Sequence, residues 1–135
     1  MPPKKRRPSR DAAPPQLHEL ESEVMEELWG QREATVRTVM DRLNARTSKK
    51  RAYTTYMTIM SRLHKKRVLD RRREGKTDIY APRLSREEFM GSRAKAQVEE
   101  LVAEYGDVAL SHFAREFASL DPARRRALQR LARKP

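Results

Sequence analysis

The sequence predicts a mainly α-helical chain carrying one small β-hairpin, with three helices before the hairpin and more helices after it. Three observations predict this. Apolar residues recur at helical spacing in segments separated by Gly, Pro and cap residues. One pair of short extended runs flanks a Gly-bearing turn between Val68 and Pro82. The 135 residues contain no cysteine, 37% apolar and 37% charged residues. That is a lean core for the length, so burial against a partner chain is expected. Without cysteine a disulfide scaffold, thiolate zinc site, Fe–S site or thiol catalyst is excluded.

Charge divides the chain further. Residues 1–15 hold five basic residues and one acidic, residues 16–44 three and seven, residues 45–83 thirteen and three, and residues 84–135 ten and eight. Nearly all of the net charge of +12 therefore sits in one segment of 39 residues. A solvated surface mixes its signs, so this concentration points to an acidic partner, with nucleic acid foremost. No run of apolar residues is long enough to span a membrane, and MPPKKRRPSR has no apolar stretch of the secretory type. No membrane insertion and a cytoplasmic, nucleoid-associated location are the expectations.

The Pro- and Lys/Arg-rich residues 1–15 are expected to form a disordered basic tail. Leu17, Leu20, Val24 and Leu28, with Met25 and Trp29 beside them, predict an amphipathic helix over 17–29 stopped by Gly30. Its glutamates at 19, 21, 23, 26 and 27 are assigned to an exposed face turned away from DNA. Thr35 is the N-cap of the second helix, whose stripe is Val36, Val39, Met40 and Leu43. The third helix is placed from Ala52 to Arg67. At about 100° per residue, with Tyr56 at zero, Ala52, Tyr53, Ile59, Met60 and Leu63 fall within about 60° of it. Thr54, Thr58, Ser61, Arg62 and Lys65 cluster opposite.

Short hydroxyls followed by long cations suit a helix in the DNA major groove. Threonine methyls meet thymine methyls, hydroxyls reach bases or phosphates, and arginine pairs with guanine. An ordinary polar helix face would look similar, but residues 42–69 contain no Asp or Glu at all. The hairpin follows directly, with Arg71, Arg72, Arg73 and Lys76 toward its tip. A hairpin after a recognition helix is the wing of a winged helix-turn-helix domain, here residues 16–84. Lys49, Lys50 and Arg51 before the helix, and the four wing cations, are the expected backbone contacts.

Residues 85–135 are expected to be a helical dimerisation region. Ser85-x-x-Glu88 is a capping box. Gly106 ends that helix, Asp107 can cap the next, and Asp121-Pro122 opens the last. Helices this short do not make a core alone, whereas two copies can. Leu101, Val102, Tyr105, Leu110, Phe113, Phe117, Leu128 and Leu131 are the expected dimer contacts.

No enzyme is expected. His18, His64 and His112 have no ligand spacing, so neither metal nor cofactor is expected. No phosphate-binding Gly loop or nucleophile motif occurs. The paired carboxylates Glu26-Glu27 and Glu99-Glu100 are read as solvated.

The chain resembles the penicillinase-repressor (BlaI/MecI) family. The resemblance is carried by Leu17-His18-Glu19-Leu20-Glu21, Val24-Met25 and Leu28-Trp29, then by Thr35-Val36-Arg37 with Val39 and Leu43. Its most specific segment is Ala52-Tyr53-Thr54-Thr55, Thr58, Arg62-Leu63 and Lys65-Lys66. Glu74-Gly75-Lys76 and Tyr80-Ala81-Pro82 are similar to the wing, and Ala109-Leu110, His112-Phe113 and Leu120-Asp121-Pro122 extend the match loosely. The resemblance implies a homodimeric winged-helix repressor on a short palindromic DNA operator. Thr54, Thr55, Thr58 and Arg62 would touch bases and backbone, and the wing tip phosphates. It also implies control of β-lactamase or other resistance and stress genes, with release triggered by a membrane sensor protease. The sequence departs from the family at His18 (often Ser or Thr), Tyr56 (often Val) and Arg67 (often Gly). It has no Asn-Phe cleavage pair near Ala96-Gln97, and without cysteine it lies outside the copper-responsive branch. Beside the repressor stands one alternative, a winged-helix scaffold for protein or RNA that binds nucleic acid only non-specifically.

Overall fold

The computed structural model describes Pro14 and residues 17–134. In chain order these form α1 (Glu19–Gln31), α2 (Val36–Asn44), α3 (Tyr53–Lys65), β1 (Leu69–Glu74), β2 (Thr77–Pro82), α4 (Arg86–Tyr105), α5 (Asp107–Ala118) and α6 (Pro122–Ala132). The expected fold class, mainly α with one hairpin, is the one observed. The chain divides into two units, the first ending at Ala94 and the second beginning at Lys95, so the division falls inside α4. The tail expected over residues 1–15 lies, apart from Pro14, outside the described residues.

In the first unit the buried set is Val24, Met25 and Leu28 of α1, Val36 and Val39 of α2, and Tyr56, Met60 and Leu63 of α3. Val68, Leu69, Tyr80 and Phe89 close it, and Leu17, Leu20, Met40, Leu43 and Ile59 pack around it. The helical spacing seen in the sequence accounts for each of these faces. Ala52 and Tyr53 do not follow it: both are exposed, Tyr53 by 42%. Ala52 is the N-cap of α3, and the first turn of the helix extends past the core.

The ends of the helices show what the local sequence does. The Thr35 hydroxyl accepts the Thr38 N–H at 3.1 Å, as an N-cap should. Gly30 does not stop α1; the helix runs on to Gln31, and Arg32 takes the positive φ of 73° while its N–H reaches Leu28 O. At the end of α3 the Arg67 N–H bonds His64 O at 3.0 Å and the Val68 N–H bonds Leu63 O at 2.9 Å. These are the paired bonds of a Schellman ending, with Val68 and Leu63 both buried beneath it. The motif demands a left-handed residue, and Arg67 supplies it at φ 62° where glycine would be easier.

A two-stranded antiparallel hairpin runs in register from Leu69 opposite Pro82 to Glu74 opposite Thr77. Its two-residue loop starts at Gly75, whose φ of 59° matches the first position of a type II′ turn. A lone hairpin is marginal in water. This one is fastened at Tyr80, which exchanges two backbone hydrogen bonds with Ala34, at 2.9 and 3.0 Å, in the connection between α1 and α2. Beyond the hairpin the Trp29 indole donates to Leu84 O at 2.9 Å and packs at 5.4 Å against Phe89. The Ser85–Glu88 capping box forms as expected: Glu88 N–H to Ser85 Oγ at 3.1 Å, Ser85 N–H to Glu88 Oε1 at 3.0 Å. Hydrogen bonds from the Ser85 N–H first and the Ser85 side chain second hold the Glu88 carboxyl below its ordinary range.

In the second unit Gly106, not Asp107, is the N-cap of α5, at φ 59°. Asp121 caps α6 by accepting the Arg124 N–H at 2.9 Å, with Pro122 in the first turn. No residue of α5 or α6 is buried within the chain.

The Schellman ending generates a test. Arg67→Gly removes the strain of a left-handed arginine and is expected to stabilise the fold by about 1 kcal/mol. Urea denaturation of the two proteins measures it; an unchanged or lower midpoint would contradict the strain.

Candidate nucleic-acid interface

The core that seats α3 leaves one side of it outward. Thr54, Thr55, Thr58, Arg62 and Lys65 are exposed and Ser61 is half-buried. With Tyr56 at zero, Thr54, Ser61, Lys65 and Thr58 span about 140° to 200°, which is one stripe along the helix. Four of the six recognition-helix candidates thus share the stripe, and Arg62 at about 240° and Thr55 at about 260° border it on the side away from Met57. Met57, exposed by 42%, stands beside the stripe at about 100°, and Tyr53 at about 60°. Sequence patterning placed Tyr53 in the core and passed over Met57.

Lys49, Lys50 and Arg51 lie in the connection between α2 and α3, all exposed. Asn44 shapes that connection. Its side-chain amide donates to Arg51 O at 2.9 Å, and its Oδ1 accepts the Arg51 N–H at 3.1 Å and the Tyr56 hydroxyl at 2.8 Å. Tyr56 is thus more than a bulky substitute for valine: among the described residues its buried phenol is satisfied through Asn44, and that bond ties α3 to the loop carrying the cations.

The four wing cations are exposed but not equivalent. Arg72 makes a forked pair with both oxygens of Glu33 and also reaches Glu74 at 3.1 Å. Arg72 Nη1 gives the closer bond to Glu33, which holds the Glu33 carboxyl below its ordinary range and lifts the guanidinium above its own. Arg73 lies 3.7 Å from Asp78 and donates to Gly75 O. Among the described residues no carboxylate pairs with Arg71 or Lys76. Arg72 therefore reads as a strut between the wing and the α1–α2 connection, while Arg71 and Lys76 are available to phosphate.

The carboxylates of α1 are the functional residues that local patterning missed. Glu21 is 3% exposed and takes Lys66 at 2.9 Å, across 45 positions of sequence. Glu27, 6% exposed, holds Arg46 at 2.8 Å and Arg42 at 3.9 Å and accepts from Gln31. Glu27 is thus not solvated as its pairing with Glu26 suggested; it is buried because cations of α2 and the following loop close over it. Glu23 meets Arg51 at 3.6 Å. Burial pushes the Glu21 carboxyl up, but hydrogen bonds from Lys66 and the His18 N–H, with the ammonium charge, bring it below its ordinary value.

The expected dimer residues fall in the second unit or on α4. Leu101, Val102 and Phe117 are half-buried, whereas Tyr105, Leu110, Phe113, Leu128 and Leu131 are exposed by 37% to 60%. No described group of three or more His, Asp or Glu residues could hold a metal ion, and no described helix is long and apolar enough to cross a membrane.

Three helices, the third of them basic on its outward side, and a hairpin fastened to the α1–α2 connection define a winged helix-turn-helix protein. The penicillinase repressor family matches residues 17–134. The transcriptional regulators BlaI of two Mycobacterium tuberculosis strains, CDC 1551 / Oshkosh and ATCC 25618 / H37Rv, are each 39% identical over 120 residues, covering 85% of this chain and 84% of theirs. The chain belongs to the penicillinase repressor family, whose members are transcriptional regulators and not enzymes. Two solution structures are also similar. One is the DNA-binding domain of the repressor BlaI, at TM-score 0.49 and 26% identity over 57% of this chain and 90% of that one. The other is monomeric Bacillus licheniformis BlaI in complex with the blaP half-operator, at TM-score 0.47 and 27% identity over 56% and 89%.

Two measurements follow from the charges. Because the Glu21 pKa is lowered on folding, its contribution is present above the ordinary value of 4.5 and is lost as pH falls through the lowered value. Glu21→Gln is expected to cost about 1–2 kcal/mol at neutral pH, discounted for the half-exposed lysine. In urea titrations the gap from wild type should close below pH 4.5; a gap independent of pH would remove the ion pair as its cause. Second, Arg71→Ala should lower the salt slope of DNA binding by about 0.9, while Arg72→Ala should lower the melting temperature more than the slope. Equal slopes for the two variants would show that Arg72 leaves Glu33 on DNA.

Proposed function

We propose that this protein is a homodimeric, sequence-specific repressor that occupies a palindromic operator through α3 and the wing. The observation that carries it is the outward face of α3: hydroxyls, then cations, in a stretch without one carboxylate. Thr54, Thr55, Thr58, Ser61, Arg62 and Lys65 meet the major groove, and Lys49, Lys50, Arg71 and Lys76 meet phosphates, while Arg51 is held by Glu23. Arg72 and Arg73 steady the wing. Family membership supports the reading.

The second copy is supported by apolar exposure. Val108, Leu110, Phe113 and Leu131 are 41% to 62% exposed on helices with no buried residue of their own. A helix of 11 or 12 residues is marginal unless its apolar face is covered. We assign residues 16–84 to DNA binding and 85–135 to dimerisation, the sites lying in the cytoplasm at the nucleoid. Two-fold symmetry then requires two half-sites about one helical turn apart, and repression follows from occupancy of the promoter. Release requires an inactivating signal, such as a sensor protease, whose cleavage point is not the Asn-Phe pair of some relatives.

Selection from a randomised duplex library at moderate salt, with the mass of the complex measured alongside, tests the reading. The expected result is an enriched palindrome bound by a dimer. Bulk binding without an enriched site would overturn it in favour of a non-specific scaffold. On the selected site Arg62→Ala should cost about 1–3 kcal/mol and relax specificity; equal losses on selected and random duplexes would remove Arg62 from base readout.

A further inference from the structure

Between the flank of α3 and the wing lies a cleft of about 430 Å³ that holds Lys76 alone of the assigned contacts. One wall is Thr35 and Arg37 of the α2 start with Tyr53 and Met57 of α3; the other is Lys76, Thr77 and Asp78 of the hairpin; Val36 and Tyr80 also line it. The Arg37 guanidinium lies over the Tyr53 ring, 5.8 Å from its centre. Among the described residues no carboxylate pairs with Arg37 or Lys76. The carboxylate in the cleft, Asp78, has Arg73 at 3.7 Å to offset it.

We infer that this cleft seats a backbone phosphate of the bound duplex, with Arg37, lying over the Tyr53 ring, as its principal ligand and Lys76 as the second cation. The inference rests on the DNA-binding reading and adds to it a residue pair outside the recognition stripe and the wing tip. Its geometry follows from widths. A helix with side chains is about 10–12 Å across, and the major groove is about 12 Å wide. A helix that turns Thr54, Thr58 and Lys65 to the bases therefore brings each flank against a sugar–phosphate strand. Tyr53 and Met57 occupy one flank, about 110° and 70° from the centre of the stripe, and the wing bounds the space beside them. A chain of phosphates must pass there.

The pair has the chemistry for this. A guanidinium held over a ring by cation–π attraction uses none of its N–H donors there, so they stay free for two phosphate oxygens. The ring also limits the rotamers of the arginine before DNA arrives, so less freedom is lost on binding. This accounts for a tyrosine left exposed at the start of α3, where the apolar pattern would have buried it.

The test uses the full chain, the selected duplex and a random duplex across a salt series. Arg37→Ala, at an exposed helical position, is expected to weaken both duplexes alike, by about tenfold, and to lower the salt slope by about 0.9. Tyr53→Ala should lose part of what Arg37→Ala loses, and Tyr53→Phe, which keeps the ring, should lose less than Tyr53→Ala. Melting curves of each variant separate loss of binding from loss of fold. Unchanged affinity and slope for Arg37→Ala, with wild type binding normally, would overturn the cleft alone. Loss confined to the selected duplex would overturn it too, making Arg37 a base reader. Absence of DNA binding by wild type would overturn the functional reading beneath it.

Discussion

The arrangement of the first unit depends on two carboxylates of α1 that are buried with their counter-charges. Glu21 holds the end of α3 through Lys66, and Glu27 holds the end of α2 and its loop through Arg42 and Arg46. A carboxylate taken out of water is costly unless it is paired and hydrogen-bonded, so each acts as a positional constraint more than as a source of stability. A displaced α3 would leave Glu21 unpaired, and a displaced α2 would do the same to Glu27. The helix that carries the recognition stripe is thereby held at its C-terminal end by charge, and near its first turns by the Tyr56–Asn44 hydrogen bond. Between those points apolar packing by Met60 and Leu63 fixes its rotation.

The same logic extends to the hairpin. Arg72 spans from β1 to Glu33, one residue before Ala34, whose backbone pairs with Tyr80. A forked side-chain pair and two backbone bonds thus tie the wing to the connection before α2. Both contacts are at the surface or at a strand edge, and each alone is weak. Together they fix the direction of a two-stranded ribbon that has little core of its own. An arginine in a basic run is easily taken for a phosphate ligand; here its partner shows that part of the run is structural.

Much of this was legible in the sequence, for identifiable reasons. Helical spacing marked Val24, Leu28, Val39, Met60 and Leu63 as core because burial on one face of a helix imposes a period of about 3.6. Thr35, Ser85 and Asp121 marked helix starts because their side chains satisfy N–H groups next to them in the chain. Arg67 stood out only through the resemblance, as a place where the family often has Gly, and the structure supplies the reason in its φ of 62°. What was hidden depends on residues far apart. The burial of Glu21 and Glu27 needs cations 15 to 45 positions away, which no local window contains. Gly30 stands inside α1 although glycine commonly follows a helix, because the Arg32 N–H closes the last turn onto Leu28 O. Tyr53 fits the apolar angle of α3 and still escapes the core, since periodicity gives the side of a helix but not how far the neighbouring helices extend along it.

These pairings also change how the basic segment is counted. Of the thirteen cations in residues 45–83, Arg46, Arg51, Lys66, Arg72 and Arg73 face carboxylates within 4.0 Å. The remainder, among them Lys49, Lys50, Arg62, Lys65, Arg71 and Lys76, sit in the α2–α3 loop, on the outward side of α3 and on the wing. Net charge alone would treat every cation as a source of released counterions, at about 0.9 in the salt slope for each phosphate neutralised. The structure reduces that number and concentrates it. Cations that meet carboxylates hold the surface in shape, and cations that do not are left for a polyanion. The acidic helix α1 and the basic segment are therefore complementary parts of one device, and the negative charge of residues 16–44 is needed to arrange the positive charge that follows it.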